Sequence, residues 1–192
     1  MFIEPTLISL IIAKLRGGRF KNLENVNIKA WYLFIIAALL QGILSIIKYI
    51  DLAGLNQMIL RYKIVIIGIT YLLMIITALL NIKKNYMKIF LIGIILNLIV
   101  IMGNGGYMPV SLEGIKGIAQ ESVLPEREFD VKHVAVTKDT KFVYLADIIL
   151  LPRPYPLPKI LSLGDIFLML GAFVFFQEEM FIKKKKSISQ VS

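Results

Sequence analysis

Among the thirteen acidic residues of this chain, Asp147 and Asp165 are the pair whose surroundings could give them chemistry. Asp165 lies in an apolar run near its outer end, with no basic residue nearby in the same run. Asp147 closes the mixed stretch Phe142–Asp147. Two carboxylates brought together at a dry interface cannot both ionise cheaply, so one keeps its proton and an acid and a base result. The bland alternative for Asp165 is a structural hydrogen bond or a cap at the start of a helix. His133, the single histidine, could act as a pH-sensitive group at the same mouth or simply pack in a loop.

Other chemistries are poorly supplied. Cysteine is absent, which removes disulfides, thiol nucleophiles and thiolate metal sites. One histidine cannot make a cluster of ligands, and no GxSxG, HExxH, P-loop or GxGxxG pattern occurs. No cofactor and no metal site is expected. Glu126, Glu128 and Asp130 alternate and read as a solvated charge run rather than a calcium contact. A cleavable signal peptide is not expected, since Glu4 and Pro5 stand where a basic region should be.

The elements that must position the two aspartates follow from composition. Of 192 residues, 57% are hydrophobic and 18% charged, against roughly 45–50% and about 25% in soluble domains. The apolar residues come in blocks such as Trp31–Ile47, Ile64–Ile82 and Phe90–Met102. This predicts an all-α integral membrane protein, a bundle of about five transmembrane helices with a structured extracytoplasmic loop. The expected spans are 2–14, 30–48, 64–82, 86–103 and 160–182. The first is short, about 18 Å of a 30 Å core at 1.5 Å per residue, so whether it fully spans is left open.

Charge sets the expected orientation. The net charge of +9 could suggest nucleic acid. The basic residues instead gather at the ends of apolar blocks, and no nucleic-acid partner is expected. Segments 14–29 and 83–88 and the tail Lys183–Lys186 alternate to one side and hold 12 of the 22 Lys and Arg residues. They belong in the cytoplasm by the positive-inside rule. Loop 103–159 then faces outward, with seven basic and seven acidic residues. Within it the pattern predicts a short interfacial helix over Val110–Gln120 and a β-hairpin from His133–Val136 and Phe142–Tyr144. The alternating Pro152, Pro154, Pro156 and Pro158 predict an extended stretch across the mouth of the bundle. Gln41 and Asn97 should hydrogen-bond between helices, and Glu178 and Glu179 should pair with Lys183. Gly17-Gly18-Arg19 reads as a helix C-cap.

Three blocks carry a resemblance. Arg16-Gly17-Gly18-Arg19 closes the first apolar segment, and Asn104–Ser111 reads N-G-G-Y-M-P-V-S. Then come His133, Thr140, Leu145-Ala146-Asp147 and Ser162-Leu163-Gly164-Asp165. In this order they resemble an uncharacterised bacterial multi-pass family, domain of unknown function 5317. The resemblance implies a bacterial membrane protein and no activity. Combined with the orientation read from charge, the expected location is the bacterial cytoplasmic membrane, with loop 103–159 outside and the C-terminus inside. Asn104, Met108, Pro109, Ser111, His133, Ser162 and Gly164 are the candidate supporting residues at the mouth.

Residues 145–172 also look like the end of lipoprotein signal peptidase, where two aspartates activate a water against a peptide bond. That likeness implies Asp147 and Asp165 as the catalytic pair. The chain departs from the signal peptidase pattern at Ser162, which stands in place of Asn, and after Gly103-Asn104, where no Asp-Arg follows. The favoured function is a non-catalytic membrane partner or assembly factor using loop 103–159 as a docking surface, with the Met108–Gln120 surface the part whose alteration should abolish it. The alternatives are an aspartyl hydrolase acting on a lipid-linked or membrane-embedded peptide substrate and, more weakly, a small transporter. The expected partners are the lipid bilayer and either a membrane protein or that substrate.

Overall fold

A computed structural model of the chain describes residues 3–46, 57, 60–111, 132–152 and 159–181, and the protein is mostly helical. Its long helices are α1 (Ile3–Leu15), α2 (Tyr32–Ile46), α3 (Lys63–Leu80), α4 (Asn85–Gly103) and α5 (Leu163–Glu179). Two of them, α3 and α4, are long and apolar enough to cross a membrane. Hydrogen bonds at the helix ends set the directions. Asn81, after α3, donates to the Lys29 carbonyl and accepts from the Lys29 N–H just before α2, at 2.8 Å each. Lys84 and Tyr86, at the start of α4, meet Glu179 at the end of α5. Neighbours α2 to α5 therefore run alternately up and down.

Helix α1 is strapped along α5 in parallel. The Ser9 hydroxyl donates to the Phe173 carbonyl at 3.0 Å, the Gln177 side chain donates to the Ser9 carbonyl at 3.0 Å, and Lys159 pairs with Glu4 at the opposite end. It ends in a Schellman turn, as the glycine pair predicts. Gly17 takes φ +94°, its N–H donates to the Lys14 carbonyl, and the Gly18 N–H donates to the Ala13 carbonyl.

Helices α4 and α5 pack closely because α5 carries small residues on the facing stripe, with Gly164, Asp165, Gly171 and Glu179 all buried. A Cβ on Gly171 would stand 2.9 Å from the Phe90 ring. Large apolar residues point away from the bundle: Leu39 is 63% exposed and Leu72 is 55% exposed. The core joins Leu44, Ile67, Tyr71 and Ile94.

At the end opposite Glu179 lie short strands. β1 (Met108–Val110) pairs in parallel with β2 (His133–Ala135), with Met108 opposite His133. β3 (Ile149–Leu151) and β4 (Lys159–Leu161) are antiparallel, with Leu151 opposite Lys159.

Several expectations are corrected here. His133–Ala135 is a strand, but Phe142–Tyr144 is not its partner: Val143–Leu145 forms a 3-10 turn after Phe142, which has φ 55°. Asn104 explains the difference, since it accepts from the Lys141 N–H and donates to the Lys141 carbonyl, holding that backbone against the end of α4. Met108–Val110 is a strand where a helix was expected to begin at Val110. The last helix starts at Leu163 rather than Ile160, because 159–161 is drawn into β4. Glu179 pairs with Lys84, and its expected partner Lys183 lies outside the described residues. So do most of the expected interfacial helix, the acidic run 126–130, and Pro154, Pro156 and Pro158.

The Glu179 carboxylate accepts from Lys84 Nζ at 2.6 Å and from the Tyr86 hydroxyl at 2.5 Å, and is almost fully buried. Glu179→Ala should therefore cost about 2 kcal/mol, as hydrogen bonds to a charged group are lost and a buried hydroxyl is orphaned. A fall in the midpoint of thermal unfolding in detergent would register it.

Candidate functional site

Asp165 owes its place to a capping box. The Ser162 hydroxyl accepts from the Asp165 N–H at 2.9 Å, and the Asp165 carboxylate accepts in return from the Ser162 N–H at 3.2 Å. Its other oxygen accepts from the Asn97 side-chain amide at 3.1 Å, and the Ser162 hydroxyl donates to the Asn97 oxygen at 2.9 Å. Asn97, Ser162 and Asp165 thus form one buried network between α4 and α5. Gly164 makes room for it: a Cβ there would stand 2.1 Å from the Asn97 oxygen and 2.9 Å from the Gly93 carbonyl.

Asp147 arrives by a different route. Its N–H donates to the Pro109 carbonyl and its carbonyl accepts from the Ser111 N–H, both at 2.9 Å. It therefore pairs alongside β1, bridged in parallel to Val110. Its carboxyl is buried. One oxygen lies 3.9 Å from His133 Nε2, and the other has no hydrogen-bond partner among the described residues. Burial pushes this carboxyl up to about 8, and the charge of Asp165 pushes the same way.

The two aspartates line one cavity of about 150 Å³, together with Gln41, Tyr71, Asn97, Met108, Lys132 and His133. Lys132 is held by its own hydrogen bond, 3.0 Å to the Gln41 carbonyl. Of the sequence candidates, Asp147, Asp165, Met108 and His133 meet at this cavity. Pro109 and Ser111 act through their backbones, and Ser162 and Gly164 support Asp165 and Asn97 from within α5. Asn104 is elsewhere, its side chain committed to the carbonyls of Val100 and Lys141 and to the Lys141 N–H. Tyr71, Gln41 and Lys132 were not foreseen as lining residues. The available signal for Tyr71 was a phenol in a mostly apolar helix, beside Thr70 and one turn after Ile67.

The raised titration of Asp147 has a consequence for stability. In the unfolded chain this carboxyl titrates near 3.8, and in the native protein near 8. Between these values the native state holds a proton that the unfolded state has released, so stability falls as pH rises from about 4 to about 8. Asp147→Asn should remove that slope, measured as thermal unfolding from about pH 5 to about pH 8.

The family model that matches residues 25–177 describes a family of unknown function (DUF5317). An uncharacterized protein of Thermotoga maritima is 29% identical over 176 residues, spanning 92% of this chain and 90% of that protein. No solved structure matches the chain.

Proposed function

Because this chain belongs to the DUF5317 family of unknown function, we propose an activity from its own geometry: it is a membrane aspartyl hydrolase whose site opens at the outer leaflet. The observation that carries this reading is the convergence of Asp147 and Asp165 on one cavity in unlike settings. Asp147 is buried, has one oxygen with no hydrogen-bond partner among the described residues, and keeps a proton at neutral pH. Asp165 accepts two hydrogen bonds at the positive end of α5.

That asymmetry suits hydrolysis of a carbonyl compound. The Asp165 carboxylate takes a proton from a water in the cavity, and the water oxygen adds to the carbonyl carbon. Asp147 passes its proton to the carbonyl oxygen. The tetrahedral intermediate then collapses: one hydroxyl proton returns to Asp147, the proton on Asp165 goes to the leaving amine or alcohol, and the C–N or C–O bond breaks.

The setting is a bundle of five spans in the bacterial inner membrane. The outward Leu and Ile side chains would meet lipid, and Arg16, Lys29 and Lys84 gather at the end away from the aspartates, as a cytoplasmic face would have them. Since the chain has no cysteine, single-cysteine variants can test the topology directly. In intact cells Tyr144→Cys, at a side chain 87% exposed, should react with an impermeant maleimide. Lys21→Cys should react only after permeabilisation, and the reverse pattern would overturn the orientation.

The competing readings are less well supported. Met108, Pro109 and Val110 are buried, which removes them from a docking surface. A transporter needs polar residues below the cavity, and the space beneath is walled by apolar side chains. The activity is tested by comparing the lipids and peptides of membranes that contain wild type, Asp147→Asn or Asp165→Asn. A product formed by wild type and lost in both folded variants is expected. A product profile indifferent to both substitutions would sink the hydrolase.

A further inference from the structure

Directly beneath the aspartate cavity lies a second space, an apolar groove of about 450 Å³. It runs between α2–α3 and α4–α5, walled by Phe34, Met74, Phe90, Ile94, Leu168 and Phe175. Two tyrosines, Tyr71 and Tyr86, also line it. The Tyr86 hydroxyl is committed to Glu179 at 2.5 Å. Tyr71 belongs to both spaces and forms the junction between them. The groove therefore offers almost nothing to a polar ligand and continues into a site that is rich in polar groups.

Size and shape point the same way. At about 150 Å³, the cavity is smaller than the roughly 300 Å³ at which small-molecule sites begin. It can house a reacting carbonyl and a water, but not a peptide with residues on both sides of the scissile bond. The groove supplies the missing volume, in a form suited to a hydrocarbon chain. Between Ile94 and Tyr86 on α4 it extends about 12 Å along the helix axis. Its direction, from Ile94 at mid-bundle beneath the polar site down to Tyr86 beside Glu179 at the opposite end, is that of an extended acyl chain whose carbonyl end lies at the outer leaflet. Lipid tails are as apolar as this groove, so it would be filled by shape and packing while the polar end selects the ligand.

We infer that the substrate is a lipid, with one hydrocarbon chain in the groove and its ester or amide carbonyl in the Asp147–Asp165 cavity, Tyr71 marking the bend between them. This rests on the hydrolase reading for the chemistry but not for the binding. Ala172, on the groove wall, gives a way to fill the space without touching the cavity.

The full-length protein would be reconstituted in vesicles of phosphatidylethanolamine and phosphatidylglycerol. These would be doped with a phosphatidylethanolamine carrying a photoactivatable group near the end of one acyl chain. After irradiation, labelled peptides are mapped by mass spectrometry and released fatty acid is measured. Labelling at Met74, Phe90 and Phe175 is expected in wild type and in Asp147→Asn, and should be lost in Ala172→Trp. Labelling at the outward Leu39 and Leu72 should stay unchanged in all three. If Ala172→Trp does not fold, Leu168→Phe provides a smaller filling of the same groove. Groove labelling that survives a folded filling variant, or that never exceeds the outward labelling, overturns the chain site. Groove labelling with no lipid hydrolysed overturns the hydrolase and leaves the chain site standing. Fatty acid released without groove labelling does the opposite.

Discussion

Asp147→Asn should reduce turnover by about 10²–10⁴-fold while leaving the protein folded. The substitution keeps the size of a buried side chain and the backbone pairing to Pro109 and Ser111, which does not depend on side-chain identity. What it removes is the proton that this carboxyl holds at neutral pH. The amide cannot pass a proton to the carbonyl oxygen, so the loss should fall on kcat rather than KM. Asp165→Asn should lose a similar factor for the opposite reason, since an amide cannot accept the proton of water. The two single variants and the double variant should be almost equally inactive, because the pair acts as a unit. A single variant that retains full turnover would reduce the aspartates to architecture.

The second large effect is structural and reaches the site indirectly. Gly164→Ala would place a methyl group 2.1 Å from the Asn97 oxygen and 2.9 Å from the Gly93 carbonyl. Asn97 could turn away only by giving up its hydrogen bonds to Ser162 and Asp165. The Gly93 backbone has no such freedom. Overpacking at a helix crossing with loss of a buried network should cost about 3 kcal/mol. Pairing it with Asn97→Ala should recover part of that loss, since the closest contact is then gone. Thermal unfolding of the two single variants and the double variant would give the coupling. Strict additivity would mean that the two residues do not meet.

Residues close in sequence account for much of what could be read beforehand. The long apolar runs predict the helices because a spanning helix satisfies its own backbone, so length and hydropathy are nearly sufficient. The Schellman turn at Gly17-Gly18 was legible for the same reason, being closed within five residues. Helical spacing puts Gly164, Asp165, Gly171, Ala172, Glu178 and Glu179 on one side of α5, and of these Gly164, Asp165, Gly171 and Glu179 are buried. The choice of Asp147 and Asp165 as the residues to watch also came from the sequence, through their isolation among apolar neighbours.

What joins those residues depends on contacts across long separations, which local pattern does not encode. β-propensity marks His133–Ala135 as a strand but is silent on its partner, and the parallel pairing with Met108–Val110 spans more than twenty residues. Asp147 reaches the cavity only because its backbone pairs beside β1. Asp165 had two readings, one half of a carboxylate pair or a structural hydrogen bond or helix cap. The structure makes it the third residue of α5, in a capping box headed by Ser162, because β3 draws 159–161 out of the helix, and leaves it lining the cavity with Asp147. The groove is a space between helices α2 to α5, and the cavity above it is lined by the same four helices together with Met108 of β1, His133 of β2 and Asp147. The sequence determined which segments are helical and which charges are out of place, since those are local and compositional facts. Packing alone decided that two such charges share one cavity, because that depends on where distant backbones come to rest.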